Sequence, residues 1–241
     1  MNSAVAVFRP DDERIEEAVE VLENLGVEAV PDPMLAVEPI GETPRTDADY
    51  VVLTSTTGVE LAAGAGWTPG DATLCAIGPK TAAAAERAGF EVDVVPEDYT
   101  SAGLVAALED VVDGATVEVA RSDHGSRVLV DGLESAGAVV HETVLYRLVR
   151  PAGAGSSIDR LLAGDLDGVC FTSSLTVEHF LDAADERDVA GPVREALDDA
   201  TVGCIGPPTR ETAANAGVAV DVVAEEATFE SLARAVVGAL G

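Results

Sequence analysis

Short, unbroken apolar runs recur along the chain and are separated by Ala-rich stretches with mixed polar positions. Val51–Leu53, Leu74–Ile77 and Val92–Val95 carry the continuous β-branched and aliphatic character of strands buried on both faces. Between them, Thr81–Ala88 reads as a helix that Gly89 ends, and Ser101–Val112 reads as another. Thr54-Ser55-Thr56-Thr57, directly after the first of these strands, offers hydroxyls to cap a helix. Strands alternating with helices predict parallel sheets covered on both faces, in a flavodoxin-like α/β manner.

The pattern occurs twice. Asp49-Tyr50-Val51-Val52-Leu53-Thr54-Ser55 returns as Asp167-Gly168-Val169-Cys170-Phe171-Thr172-Ser173. Ala72 to Thr81, containing Ile77-Gly78-Pro79-Lys80-Thr81, returns as Ala200 to Thr209, containing Ile205-Gly206-Pro207-Pro208-Thr209. The same alignment pairs Gly89 with Gly217, Val92–Val95 with Val220–Val223, and Thr100 and Leu104 with Thr228 and Leu232. A second, weaker pair lies upstream of each copy: Val5 to Arg9-Pro10 with a helix closed by Gly26, and Val117 to Arg121-Ser122 with a helix closed by Gly137. Two copies of so long a period make two similar domains and no solenoid.

Extended segments, Pro31 to Pro44 and Val144 to Pro151, fall where the chain leaves one copy for the other. They predict an inserted second domain over 38–146, a discontinuous first domain over 1–34 and 150–241, and linker strands at 35–37 and 147–149.

Charge narrows the partners. The chain of 241 residues carries 44 acidic and 14 basic residues, a net charge of −30, and Lys80 is its one lysine. Nucleic acid and anionic membranes bind clustered Lys and Arg, so neither is expected here. At molar salt the Debye length falls to about 3 Å and screens the self-repulsion of such a surface. The dispersed acids therefore point to a salt-rich cytoplasm. Cys75, Cys170 and Cys204 lack metal or disulfide spacing and read as buried small hydrophobes. His124, His141 and His179 show no ligand spacing, so no metal is expected. The start of the chain, Met1 to Arg9, has no signal-peptide pattern, and no apolar run is long enough to span a membrane.

Arg9-Pro10, Leu53-Thr54-Ser55, Phe171-Thr172-Ser173, the two Ile-Gly-Pro turns and Tyr146 in Val144-Leu145-Tyr146-Arg147 together resemble the uroporphyrinogen-III synthase family along nearly the whole chain. Leu53 departs from the usual Phe, and Pro208 from a usual polar residue. The resemblance implies two flavodoxin-like domains joined by two linker strands, a cleft between them, no cofactor, and a cytoplasmic monomer. Its substrate would be hydroxymethylbilane, a linear tetrapyrrole with eight carboxylates, and its expected partner, in transient contact only, the preceding enzyme of the pathway. The product would be uroporphyrinogen III, formed with loss of water and inversion of the last ring through a spiro intermediate.

On that footing Tyr146 is the candidate catalytic residue, since a tyrosine phenol keeps its proton at neutral pH and can donate it to a leaving oxygen. Candidate substrate-binding groups are Arg9, Arg121, the turns at Thr54, Ser173, Gly78 and Gly206, and the hydroxyls of Ser55, Thr81, Ser101, Ser174 and Thr209; Arg127 and Arg147 are further candidate cations. Helix N-termini bind anions without formal charge, which suits a polycarboxylate held by an acidic protein. The alternatives are a non-catalytic two-domain binding protein for a small polyanion and, last, a regulatory module, which would want acids where Val51 and Val52 stand.

Overall fold

The computed structural model describes residues 3–240; Met1, Asn2 and Gly241, which the expected first domain and the reading of the chain's start include, lie outside the described residues. The chain begins with β1 (Ala4–Phe8), α1 (Glu13–Asn24) and β2 (Glu28–Pro31). It continues through β3 (Ala36–Pro39), β4 (Tyr50–Leu53), α2 (Thr56–Gly64), β5 (Thr73–Ala76), α3 (Pro79–Arg87), α4 (Ser101–Leu108), β6 (Thr116–Ser122), α5 (Arg127–Ser135) and β7 (Val139–Val149). It closes with α6 (Ser157–Leu162), β8 (Gly168–Phe171), α7 (Ser174–Glu186), α8 (Ala190–Asp198), β9 (Thr201–Cys204), α9 (Pro207–Asn215), β10 (Val222–Val223) and α10 (Phe229–Ala239). Two compact units result: Met1–Ala36 with Val149–Gly241, and Val37–Leu148. Both segments read as linker strands end in the second unit's sheet, since β3 and β7 are neighbours there.

Unit 1 holds the strand order β2-β1-β8-β9-β10, which in its own numbering is the flavodoxin order 2-1-3-4-5. One face of the sheet, through Ala6, Phe8, Val169, Phe171 and Val202, packs on Val177, Phe180, Leu181 and Val193 of α7 and α8. The other, through Val5, Val7 and Cys170, packs on Leu22 of α1 and on Leu232 and Val236 of α10. Successive strand residues thus feed opposite cores, as the twofold period of a strand requires. Gly203 lets α10 approach closely: a Cβ there would come within 2.2 Å of Val236 Cγ2.

Unit 2 has the order β3-β7-β6-β4-β5. Leu53, Leu74 and Ala120 pack with α2 and α3 residues such as Val59, Ala62 and Ala85. Val52, Val117 and Val119 pack with Leu104, Leu108, Leu129 and Leu133 on the far face. The duplication read from the sequence is visible bond by bond. Asp167 Oδ2 accepts from Ala4 N at 2.8 Å, and its counterpart Asp49 Oδ2 accepts from Thr116 N at 2.8 Å. Asp221 Oδ2 accepts from Val202 N, and Asp93 Oδ2 from Leu74 N, again at 2.8 Å each.

One expectation is corrected. Val92–Val95 is no strand but touches the sheet through the single bridge Val94 to Cys75. Asp221 makes the same side-chain bond beside the true strand Val222–Val223, so that bond is not the cause; Pro96 stands where Ala224 donates its N–H to Cys204 O, and a proline has none to give. The helix expected over Ser101–Val112 likewise stops at Leu108. All three cysteines are free and buried, and burial pushes the Cys75 and Cys204 thiols up to about 12. Among the described residues no helix is long and apolar enough to cross a membrane.

Glu118, in the middle of β6, is wholly buried, and neither carboxylate oxygen has a hydrogen-bond partner among the described residues. Burial pushes its carboxyl above the usual range; Thr143, Arg45 and His141 lie near enough to oppose this without satisfying it. An acid whose pKa is raised on folding costs nothing below its unfolded value and destabilises the fold increasingly as pH rises through the folded value. Glu118→Gln should therefore melt like the parent near pH 4 and progressively higher as pH rises to 8. Each kcal/mol of relief is worth about 2–4 °C in Tm. Thermal melts across that range check it, and an advantage confined to low pH contradicts it.

Candidate functional site

In unit 2 the chain leaves β4 and β6 in opposite directions. The two strands lie parallel, with Leu53 beside Ala120. After Leu53 the chain passes to α2 on one face, and after Ser122 to α5 on the other. A crevice opens at the carboxyl ends of two such strands. Ser55 stands there as the N-cap of α2, its Oγ accepting from Gly58 N at 3.0 Å.

β7 brings the phenol. Its pairing with β6 runs in step as far as Arg121 with Val144, then shifts so that Ser122 pairs with Tyr146. An extra residue in one strand re-aims the side chains that follow it. Tyr146, 6% exposed, donates its O–H to Ser55 Oγ at 3.0 Å. Ser55 Oγ thus accepts from both Gly58 and Tyr146, which leaves its own proton to be given elsewhere.

A cavity of about 210 Å³ collects Thr54, Ser55, Ser101, Arg121 and Tyr146 with Ile77, Ser122, Gly125, Ser126 and Leu129. Ser101 is placed by its neighbour Thr100, whose Oγ1 caps α4 by accepting from Gly103 N. Larger hollows of about 710 and 580 Å³ lie elsewhere, one against α10 and β10, the other at the amino end of β5. The first is lined by Glu225, Glu226 and Glu230 with Arg234, an unsuitable lining for a polyanion.

Arg121 is not a free cation. It is 7% exposed, donates through Nη1 to Ser126 O and pairs through Nη2 with Glu142. Glu142 also reaches Arg127, which in turn pairs with Asp131 at 2.8 Å. Arg147, the other candidate cation, does not line this cavity. Gly78 begins α3 and Thr81 is buried in that helix; neither lines the cavity, although Ile77 next to Gly78 does.

The matching edge of unit 1 holds the remaining candidates. Arg9, at the end of β1, has no ion pair among the described residues, and its guanidinium carbon sits 5.3 Å from the centre of the Phe229 ring. Its Nε is buried without a partner. Burial and then Arg14 weaken its hold on charge, while Glu17, Asp12 and Glu230 support it. Ser173 caps α7 with a reciprocal bond to Thr176. Ser174 Oγ accepts from Thr212 at 2.8 Å and donates to Pro208 O at 3.3 Å. Thr172 Oγ1 bonds Phe8 O, which ties β8 to β1. Gly206 begins α9 and Thr209 is buried, but Pro207 and Pro208 occupy the first turn. Proline has no N–H, so this turn offers fewer amides to an anion than the Gly206 turn was expected to give.

Sequence reading missed Ser122, Gly125 and Ser126. Ser126 carried a signal, since it caps α5 by accepting from Val128 N. The shift in β7 register that completes the cavity carried none.

A sequence-family model described as "Uroporphyrinogen-III synthase HemD" matches residues 16–234. A putative uroporphyrinogen-III synthase of Methanothermobacter thermautotrophicus is 36% identical, with 98% of each chain covered. The uroporphyrinogen-III synthase of Synechococcus elongatus is 27% identical over 79% of this chain and 75% of its own. Among solved structures, a mutant uroporphyrinogen III synthase of Thermus thermophilus superposes with a TM-score of 0.63, 21% identity, and coverage of 95% of this chain and 96% of that one; this likeness bears on the fold. With the duplicated α/β units, the family match over most of its length and a relative this similar end to end, the chain belongs to the uroporphyrinogen-III synthase family.

Proposed function

We propose that the chain closes hydroxymethylbilane to uroporphyrinogen III, with loss of water and inversion of the last pyrrole ring through a spiro intermediate. The observation that carries the chemistry is the Tyr146–Ser55 pair in the cavity of unit 2. At about 210 Å³ the cavity is smaller than the roughly 300–1,000 Å³ that holds a drug-sized ligand. It suits one ring of the bilane, the reacting end.

In this reading the C–O bond of the hydroxymethyl group breaks as the leaving oxygen takes a proton from Ser55 Oγ, and Ser55 takes one from Tyr146. Water departs. The proton released when the rearranged ring regains its aromaticity returns to the pair, so no net acid or base is consumed. Pyrrolic hydroxymethyl groups lose water readily, so the pair supplies modest acid catalysis and correct placement supplies the rest. Thr54, Ser101, Ser122 and Ser126 add neutral donors around the ring. Arg9, Ser173, Ser174, Gly206 and Thr209 are proposed to meet substrate carboxylates, and Gly78 and Thr81 to do so at the α3 turn.

The protein is further proposed to act as a monomer in a salt-rich cytoplasm. Its Tm should rise steadily between 0.1 and 3 M KCl, because added salt screens a charge of −30. A flat or falling Tm rejects this adaptation.

Incubation in molar KCl with hydroxymethylbilane generated in place, followed by oxidation and separation of porphyrin isomers, tests the activity. Predominant type III product is expected. Only type I from folded protein would reject it in favour of a polyanion-binding protein. Tyr146→Phe should form type III about ten- to hundredfold more slowly, with the unassisted type I isomer making up the difference.

A further inference from the structure

We infer that Arg121 is a positioning residue and not a ligand for a substrate carboxylate: through Gly125 and Glu142 it sets the loop from Ser122 to Ser126 that walls the cavity. This rests on the synthase reading above. A guanidinium has five N–H donors in a rigid fork, and here both arms are engaged, one by the Ser126 carbonyl and one by the Glu142 carboxylate. The loop lies directly against this fork. A Cβ at Gly125 would come within 2.4 Å of Arg121 Cδ, 2.6 Å of Nη1 and 2.7 Å of Nε. A side chain there would have to push the paired guanidinium aside, and the loop closes by Gly125 N donating to Ser122 O at 3.3 Å.

The loop delivers several cavity groups at once. Ser122 and Ser126 both line the cavity, Ser126 also starts α5, and α5 carries Leu129 into the same wall. Glu142 projects from β7, the strand that also supplies Tyr146. One ion pair therefore ties the loop to the strand bearing the phenol. The equivalent arginine in the other copy is arranged differently: Arg9 has no ion pair among the described residues and rests against Phe229. Duplication gave two arginines at matching strand ends, and one keeps its charge available while the other commits it to internal architecture.

The test compares wild type, Gly125→Ala, Glu142→Gln, Arg9→Gln and the charge-balanced double variant Arg121→Met/Glu142→Met. The double variant avoids stranding one buried charge. For each, kcat, KM and the share of type III isomer are measured from 0.5 to 3 M KCl, at a temperature where melting curves show it folded. Gly125→Ala and the double variant should lower kcat about ten- to hundredfold, with KM within about twofold and its salt dependence unchanged. Glu142→Gln should lower kcat in the same direction. Arg9→Gln should raise KM and flatten that salt dependence, the mark of a lost contact with an anion. The inference is overturned if the double variant flattens the salt dependence as Arg9→Gln does. It is also overturned if Glu142→Gln lowers KM, since freeing the guanidinium would then have improved substrate binding. Wild type making only type I would instead defeat the synthase reading, a failure recognisable before any variant is compared.

Discussion

The hydrogen bond from the Tyr146 phenol to Ser55 Oγ joins the end of β7 to the N-cap of α2, and the chemistry proposed for the site depends on it. Ser55 already holds the Gly58 amide, so its position is set by the start of a helix. Tyr146 reaches it only because β7 slips its register past Arg121, at the level where the last core residues, Leu53 and Leu145, give way to hydroxyls. Ser55 is half-buried, and a hydroxyl accepting two hydrogen bonds has a single direction left for its own proton. Backbone geometry and hydrogen-bond satisfaction thus convert two weakly acidic side chains into a directed donor.

The strongly acidic composition limits how this chain can hold a polycarboxylate. Its cations are scarce and many are paired locally, as in Arg160 with Glu28, Arg150 with Glu186 and Arg187 with Asp159. Arg121 follows the same pattern in a buried setting. What remains for an anion are hydroxyls, helix-start amides and cations without an ion pair among the described residues, Arg9 among them. The Pro207–Pro208 start of α9 removes two of those amides, while α2 and α7 keep theirs and use a serine cap to satisfy the third residue of the turn.

The fold class was legible because its signal is local and repeated. The Asp49 and Asp167 stretches open strands that make the same hydrogen bonds, and the apolar runs at Val51, Leu74 and Val169 became buried strands. Val92–Val95 misled because its apolar run outweighed Pro96, which lacks the N–H that Ala224 gives to Cys204 O in the other copy. The geometry brings Thr54, Ser55, Ser101, Arg121 and Tyr146 into one cavity, since strand ends and caps can be located from sequence. Gly125 and Glu142 stayed hidden for a different reason. Their arrangement depends on where one guanidinium packs and on a one-residue register shift, and both are tertiary facts.

The central claim is that Ser55 and Tyr146 act as one unit. A double-mutant cycle measures this directly: the rate of type III formation for wild type, Ser55→Ala, Tyr146→Phe and the double variant, all in molar KCl. The account predicts strong non-additivity, with the double variant little slower than the slower single variant and a coupling of about 1 kcal/mol or more. Losses that multiply, leaving no coupling, would show that the two hydroxyls act independently and would contradict it.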